Sequence, residues 1–176
     1  MKLRTAATKD LPALLQIHNH AVRNLTAAWT EQEETVEERA IWLEGRGRDG
    51  FPVIVAVDDE DDVLGFGSFG PFRARPGYRK TVEHSIYVRS GAQGVGTGAA
   101  LMQKLIELAR ADGYHVMVGA VDAENETSLK FHRKLGFDVS CKLPQVGTKF
   151  GRWLDLYMVT LVLNDDPAPP SMLPSP

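Results

Sequence analysis

A chain of 176 residues, 43% hydrophobic and 24% charged, has the size and apolar content of one compact domain with a single core, and no room for a second catalytic domain. Its formal net charge is -3 with Lys and Arg interleaved among Asp and Glu, which is not the footprint of a nucleic-acid-binding protein. One cysteine, Cys141, excludes an intrachain disulfide and a cysteine-based metal cluster, and no segment approaches the roughly 18 apolar residues of a membrane span, so we expect a soluble cytoplasmic protein without metal, membrane or nucleic-acid partner.

In chain order, residues 2–5 can begin an edge strand. Asp10 then stands where a helix N-cap belongs, ahead of Leu11, Leu14, Leu15, Ile17, Ala21 and Val22 on one helical face. Residues 35–46 repeat that spacing with Val36, Ala40, Ile41 and Leu43. Residues 51–57 form an apolar strand, and the acidic stretch 58–62 turns it into a second strand over 63–72. A third strand, 81–88, carries polar groups in its interior at Glu83, His84 and Ser85. A helix follows over 99–111 with Leu101, Leu105, Ile106 and Leu108 inward, then a strand over 115–121, a helix over 125–135, and closing strands over 137–142 and 153–163. The order is β-α-α-β-β-β-α-β-α-β-β. Residues 165–176 contain five prolines and suit neither helix nor strand, so we divide the chain into a domain, 1–164, and a mobile tail, 165–176.

Directly before the third helix, Gln93-Gly94-Val95-Gly96-Thr97-Gly98 places three glycines at alternate positions. Such a segment lets successive backbone N–H groups converge where the positive end of the helix dipole already points, a natural seat for an anion. Glycines that only tighten a turn are the bland alternative. Gly94-x-Gly96-x-x-Ala99 also satisfies a dinucleotide fingerprint, with Asp122 about where a ribose-binding acid would sit. Against that, residues 89–93 separate the strand from the first glycine, and the strand holds Glu83 and His84. The phosphate-loop pattern fails because no Gly-Lys-Ser or Gly-Lys-Thr follows.

Gln93, Gly96 and Gly98 match the signature of the GNAT acetyltransferase superfamily, which this sequence resembles, and Asn125 followed by a helix ending in Leu135-Gly136-Phe137 resembles its second signature. Thr26-Ala27-Ala28-Trp29, Phe72-Arg73-Ala74-Arg75, residues 82–88 and residues 146–153 are similar to the phosphinothricin and methionine sulfone/sulfoximine acetyltransferase subgroup. The resemblance implies an α/β (α+β) GNAT fold, a mixed central sheet of about seven strands flanked by four helices and splayed at the central parallel strands. It implies transfer of an acetyl group from acetyl-CoA, without metal, to the α-amine of a small amino-acid analogue by direct attack in a ternary complex, in a homodimer. A protein N-terminus or an antibiotic amine as acceptor, and an inactive acetyl-CoA-binding module, are the alternatives.

Site residues follow from the same resemblance. The pyrophosphate would lie on Gln93, Gly94, Val95, Gly96, Thr97 and Gly98, and the pantetheine arm against the backbone of Ile86, Tyr87 and Val88. Glu83 would be the general base, because a strand carboxylate can accept the ammonium proton directly or through water. His132 occupies the place of the tyrosine that usually protonates the thiolate, and a histidine satisfied within the core reads equally well there. His84 alternates to the other face from Glu83 and reads as structural. Asn125 suits both the cofactor and the cap of its own helix; Lys134 suits a CoA phosphate or solvent. Arg73 and Arg75 can fork onto an acceptor carboxylate. Trp29 and Tyr78 can wall a short side chain, and Lys149 and Arg152 can answer a tetrahedral oxygen, with a core role for Trp29 and a dimer contact for Arg152 as alternatives.

Overall fold

The computed structural model describes residues 1–169. The rest of the expected tail, from residue 170, lies outside the described residues. Seven strands and four helices alternate as β1 (Lys2–Thr5), α1 (Leu11–Asn24), α2 (Val36–Arg48), β2 (Val53–Val57), β3 (Val63–Pro71), β4 (Thr81–Val88), α3 (Thr97–Ala111), β5 (Val116–Asp122), α4 (Glu126–Lys134), β6 (Asp138–Lys149) and β7 (Arg152–Val162). The sheet order is β1-β2-β3-β4-β5-β7-β6. This is the mixed sheet with four helices that the sequence led us to expect.

Side chains alternate across the strands, so each face of the sheet collects its own core. On one face α3 and α4 cover Phe69, Val82, Met117 and Val159 with Leu101, Met102, Leu105 and Leu129. On the other, Leu14 and Ile17 of α1 meet Val53, Val55, Val57, Val63 and Phe66. Strand β2 contributes to both, Ile54 and Ala56 one way and the three valines the other, which explains its unbroken apolar run.

The feature that creates the site is a short ladder. Strands β4 and β5 run parallel and pair only at Thr81↔Val116, Val82↔Met117 and Glu83↔Val118. Strand β3 stays paired with β4 as far as Gly65↔Val88. Beyond Glu83, therefore, β4 keeps one neighbour and loses the other, and the sheet opens between its central strands.

Two local readings need correction. The inward face of α2 is not the one its aliphatic residues suggest: Val36 and Ile41 are 47% and 69% exposed, while Arg39 is 3% exposed. The Arg39 guanidinium lies 4.7 Å over the Trp42 ring and pairs with Glu34 at 2.5 Å. A flat cation stacked on an aromatic ring, with a carboxylate beside it, can face a core that an isolated charge cannot. Asp10 holds the N-cap position of α1 without capping it. Its carboxylate instead accepts the Ala7 amide and a forked pair from Arg4, which pulls its pKa down.

Candidate active site

The opening between β4 and β5 continues into a groove of about 690 Å³. Its floor comes from β4 and the diverging end of β5, and its walls from the starts of α3 and α4. Ile86, Tyr87, Val88, Gln93, Gly94, Gly96, Gly98, Asn125, His132 and Lys134, all expected to meet the cofactor or the reaction, line it. Val95 is 70% exposed at the rim and Thr97 is buried beneath.

Glycine is required at the mouth for conformational reasons. Gly94 and Gly96 have φ of 79° and 93°, in the left-handed region, and a Cβ on either would meet no atom of the protein within 4 Å. The space they leave is open to a ligand. Gly96 is the N-cap of α3 and no side chain caps that helix, so its first-turn N–H groups face the groove together with the positive end of the dipole. Helix α4, which begins on the opposite wall, is closed instead: Asn125 Oδ1 accepts from the Ser128 amide at 3.0 Å. An extended molecule carrying phosphates and an arm with backbone-like amides fits this chemistry.

Glu83 sits at the last rung of the β4–β5 ladder, half-buried, on the sheet face of α1 and α2. Burial raises its carboxyl pKa, and the nearby Arg73 charge opposes the rise. His84 points the other way, into the groove wall. Sequence reading made it a structural hydrogen-bonding residue, and its contacts are of that kind. The legible signal was Gly119, the residue after the last β5 rung, where a Cβ would fall 2.4 Å from His84 Nε2. The His84 ring stacks on His132, with centroids 5.1 Å apart, and the two Nε2 atoms approach to 3.3 Å. His132 is 4% exposed, and its Nδ1 donates to the Ser128 carbonyl at 2.7 Å. Burial lowers the pKa of both rings, His84 to about 3.

The residues expected around the acceptor divide. Arg73 lies 4.7 Å over Phe72, and Tyr78 makes an edge contact with that same ring at 5.7 Å. These two and Arg75 form the exposed connection between β3 and β4, next to Glu83. Trp29 packs on β6, where a Cβ at Gly147 would approach its ring to 2.2 Å, and its indole N–H donates to the Thr26 carbonyl. Lys149 is a correction. It is 1% exposed, with its ammonium on the carbonyls of Ala21 and Leu25 at the end of α1 and of Ala28 in the loop beyond, so it neutralises a helix C-terminus and has no donor left over for a substrate oxygen. Arg152 is 53% exposed and pairs with Glu124 at 3.2 Å.

A splayed mixed sheet with an uncapped, glycine-lined helix start beside the opening defines a protein that binds an extended, phosphate-bearing cosubstrate. Residues 14–137 match the acetyltransferase (GNAT) family. The chain is 49% identical to the L-methionine sulfoximine/L-methionine sulfone acetyltransferase of Pseudomonas paraeruginosa over 162 residues, 92% of this chain and 94% of that protein. It is 34% identical to the phosphinothricin N-acetyltransferase of Streptomyces coelicolor over 89% of this chain and 92% of that one. A solved acetyltransferase from Salmonella typhimurium, with its cofactor acetyl-CoA, superposes with a TM-score of 0.93 at 42% identity, covering 97% of this chain and 98% of that one. The chain belongs to the acetyltransferase (GNAT) family. It is an acetyl-CoA-dependent N-acetyltransferase.

Proposed function

We propose that the acceptor is the α-amine of a small amino-acid analogue with a polar tetrahedral sulfur or phosphorus group, of the methionine sulfone, methionine sulfoximine or phosphinothricin type. The observation that carries this reading is the placement of a half-buried carboxylate, Glu83, at the last rung of the β4–β5 ladder, near the exposed β3–β4 connection that holds Arg73 and Arg75. A zwitterionic α-amino acid answers both groups at once, its ammonium toward Glu83 and its carboxylate toward Arg73 and Arg75. The names of the relatives point the same way.

In this reading the N–H groups at Gly96, Thr97 and Gly98 hold the pyrophosphate, and the unpaired backbone of Ile86, Tyr87 and Val88 holds the pantetheine arm. Asn125 and Lys134 border the same arm and its phosphates. Glu83 takes the ammonium proton, freeing the amine to attack the thioester carbonyl, and the paired imidazoles of His84 and His132 serve the departing thiolate. Trp29 and Tyr78 shape the acceptor end.

The protein works as a homodimer in the cytoplasm. Trp153, Val146, Phe150 and Leu143, between 39% and 67% exposed, crowd onto the β6–β7 hairpin at the sheet edge, an apolar surface suited to a second copy. There Arg152 can reach the partner's acceptor.

A thiol-release assay over a panel of amines tests the substrate class. Turnover of the three analogues and poor turnover of their amides is expected. Preference for a peptide N-terminus or an aminoglycoside would overturn the acceptor assignment and leave acetyl transfer standing.

A further inference from the structure

We propose that the Ser85 hydroxyl carries the acceptor's ammonium proton to Glu83, so that the base acts through its neighbour on the same face of β4. Base and groove do not coincide. Glu83 stands on the last rung of the β4–β5 ladder, where β4 is still flanked on both sides, and it is not among the described residues that line the groove. The free edge of β4, where an arm with backbone-like amides can pair, begins beyond that rung. Ser85 is the first residue past the rung on the Glu83 face, and it does line the groove. Tyr87, the next on that face, packs on the core cluster beneath α1, which fixes the side to which all three point.

The Ser85 hydroxyl is uncommitted. Among the described residues it has no hydrogen-bond partner, whereas Ser68, directly across on β3, turns its own hydroxyl onto the Phe69 carbonyl. Ser85 is half-buried, and its oxygen is not one of the unpartnered polar atoms shut away from solvent, which include Thr97 Oγ1 and His84 Nδ1. A hydroxyl both accepts and donates, as a relay between an ammonium and a carboxylate requires. Residues two apart on a strand are separated by roughly 7 Å, a span that the Glu83 side chain covers by leaning along β4, directly or across one water. His84, between them, faces the other side of the sheet, and Tyr87 lies a further repeat away from Glu83.

This inference rests on the reading of Glu83 as base given above and deepens it. In the step, the ammonium N–H bond breaks as its proton passes to Ser85 Oγ, and the original Ser85 O–H proton passes to a Glu83 oxygen. The nitrogen keeps its electron pair for the thioester carbonyl. Ser85 ends as the hydroxyl it began as, and one positive and one negative group have become a neutral amine and a neutral carboxylic acid.

Thiol release at saturating substrates tests the relay. Ser85→Ala should bind acetyl-CoA with the parent affinity by calorimetry and lose roughly ten- to a hundredfold in kcat, the worth of one hydrogen bond to a charged group. Ser85→Thr and Ser85→Val introduce side chains of one shape, both suited to a strand, that differ in the hydroxyl. Ser85→Thr should keep most of the parent rate, and Ser85→Val should fall to that of Ser85→Ala. In a Glu83→Gln background Ser85→Ala should cost little more, because both residues act on one proton, whereas a packing role would add its full cost. A parental kcat in Ser85→Ala, equal rates in Ser85→Thr and Ser85→Val, or additive losses in the double variant overturns the proposal. Should Ser85→Ala fail to fold, the comparison of Ser85→Thr with Ser85→Val decides. A slow Glu83→Gln beside a parental Ser85→Ala removes only the relay; a parental Glu83→Gln removes the base and the relay with it.

Discussion

Glu83 and His84 stand side by side on β4 and face different halves of the molecule, Glu83 toward α1 and α2 and His84 toward α3 and α4. Burial acts on both and drives each toward its neutral form, raising the carboxyl pKa and lowering that of the imidazole. What differs is the company. Glu83 has a full positive charge nearby, Arg73, which returns part of its acidity. His84 has the imidazole of His132 beside it, and among the described residues its Nδ1 has no hydrogen-bond partner. A single dipeptide thus places a carboxylate on one side of the sheet and an imidazole on the other, at the point where the sheet opens.

The strongest way to break this comparison is to remove the Glu83 carboxylate. Glu83→Gln should bind acetyl-CoA like the parent yet lose roughly 10²- to 10⁴-fold in kcat, read by thiol release at saturating substrate. A parental rate would assign the ammonium proton to solvent. Gly96→Val leaves both faces of β4 untouched and acts at the mouth of the groove. Its Cβ meets no protein atom, but it forces a branched residue into a left-handed backbone that costs about 1–3 kcal/mol. Calorimetry should show acetyl-CoA binding weakened by roughly ten- to a hundredfold, in a protein that still folds.

Arg73→Ala sharpens the Glu83 half. As the proposed base Glu83 must be a carboxylate, so the rate should fall as pH drops through its pKa. Arg73 holds that pKa down, and its loss should move the acid limb of kcat/KM to higher pH. The KM for an amino-acid acceptor should rise about tenfold, and that for its amide much less. An unmoved acid limb would disconnect Arg73 from Glu83. The smallest effect is expected at Asn125, which starts the helix that carries His132. Asn125→Ala removes the cap on Ser128 and should lower stability by about 1 kcal/mol in urea denaturation.

Much of this was legible in the sequence because it is local. The glycine segment announces its helix start through residue type alone, and strand alternation places Glu83 and His84 on opposite faces. Element order followed from the hydrophobic patterning along the chain, while the splayed sheet came with the family resemblance. What escaped was decided by residues far apart in the chain. Arg39 reads as a solvated helix charge until Glu34 and Trp42 are seen around it. Lys149 reads as a substrate ligand until the end of α1 is found beneath it. The His84–His132 contact spans 48 residues, and only Gly119, an unexplained glycine inside a strand, hinted that something bulky lay across from it.

Lys149 also bears on the order in which the molecule is completed. Its ammonium grips carbonyls 121 to 128 residues earlier in the chain, at the end of α1 and in the loop that carries Trp29. During synthesis that loop leaves the ribosome among the first segments, and its anchor among the last. Contacts of such separation carry the full entropic cost of closing the chain, so they form late. Ala27, from the same loop, lines the groove together with residues 84–134, so the groove is completed only when the final hairpin anchors that loop.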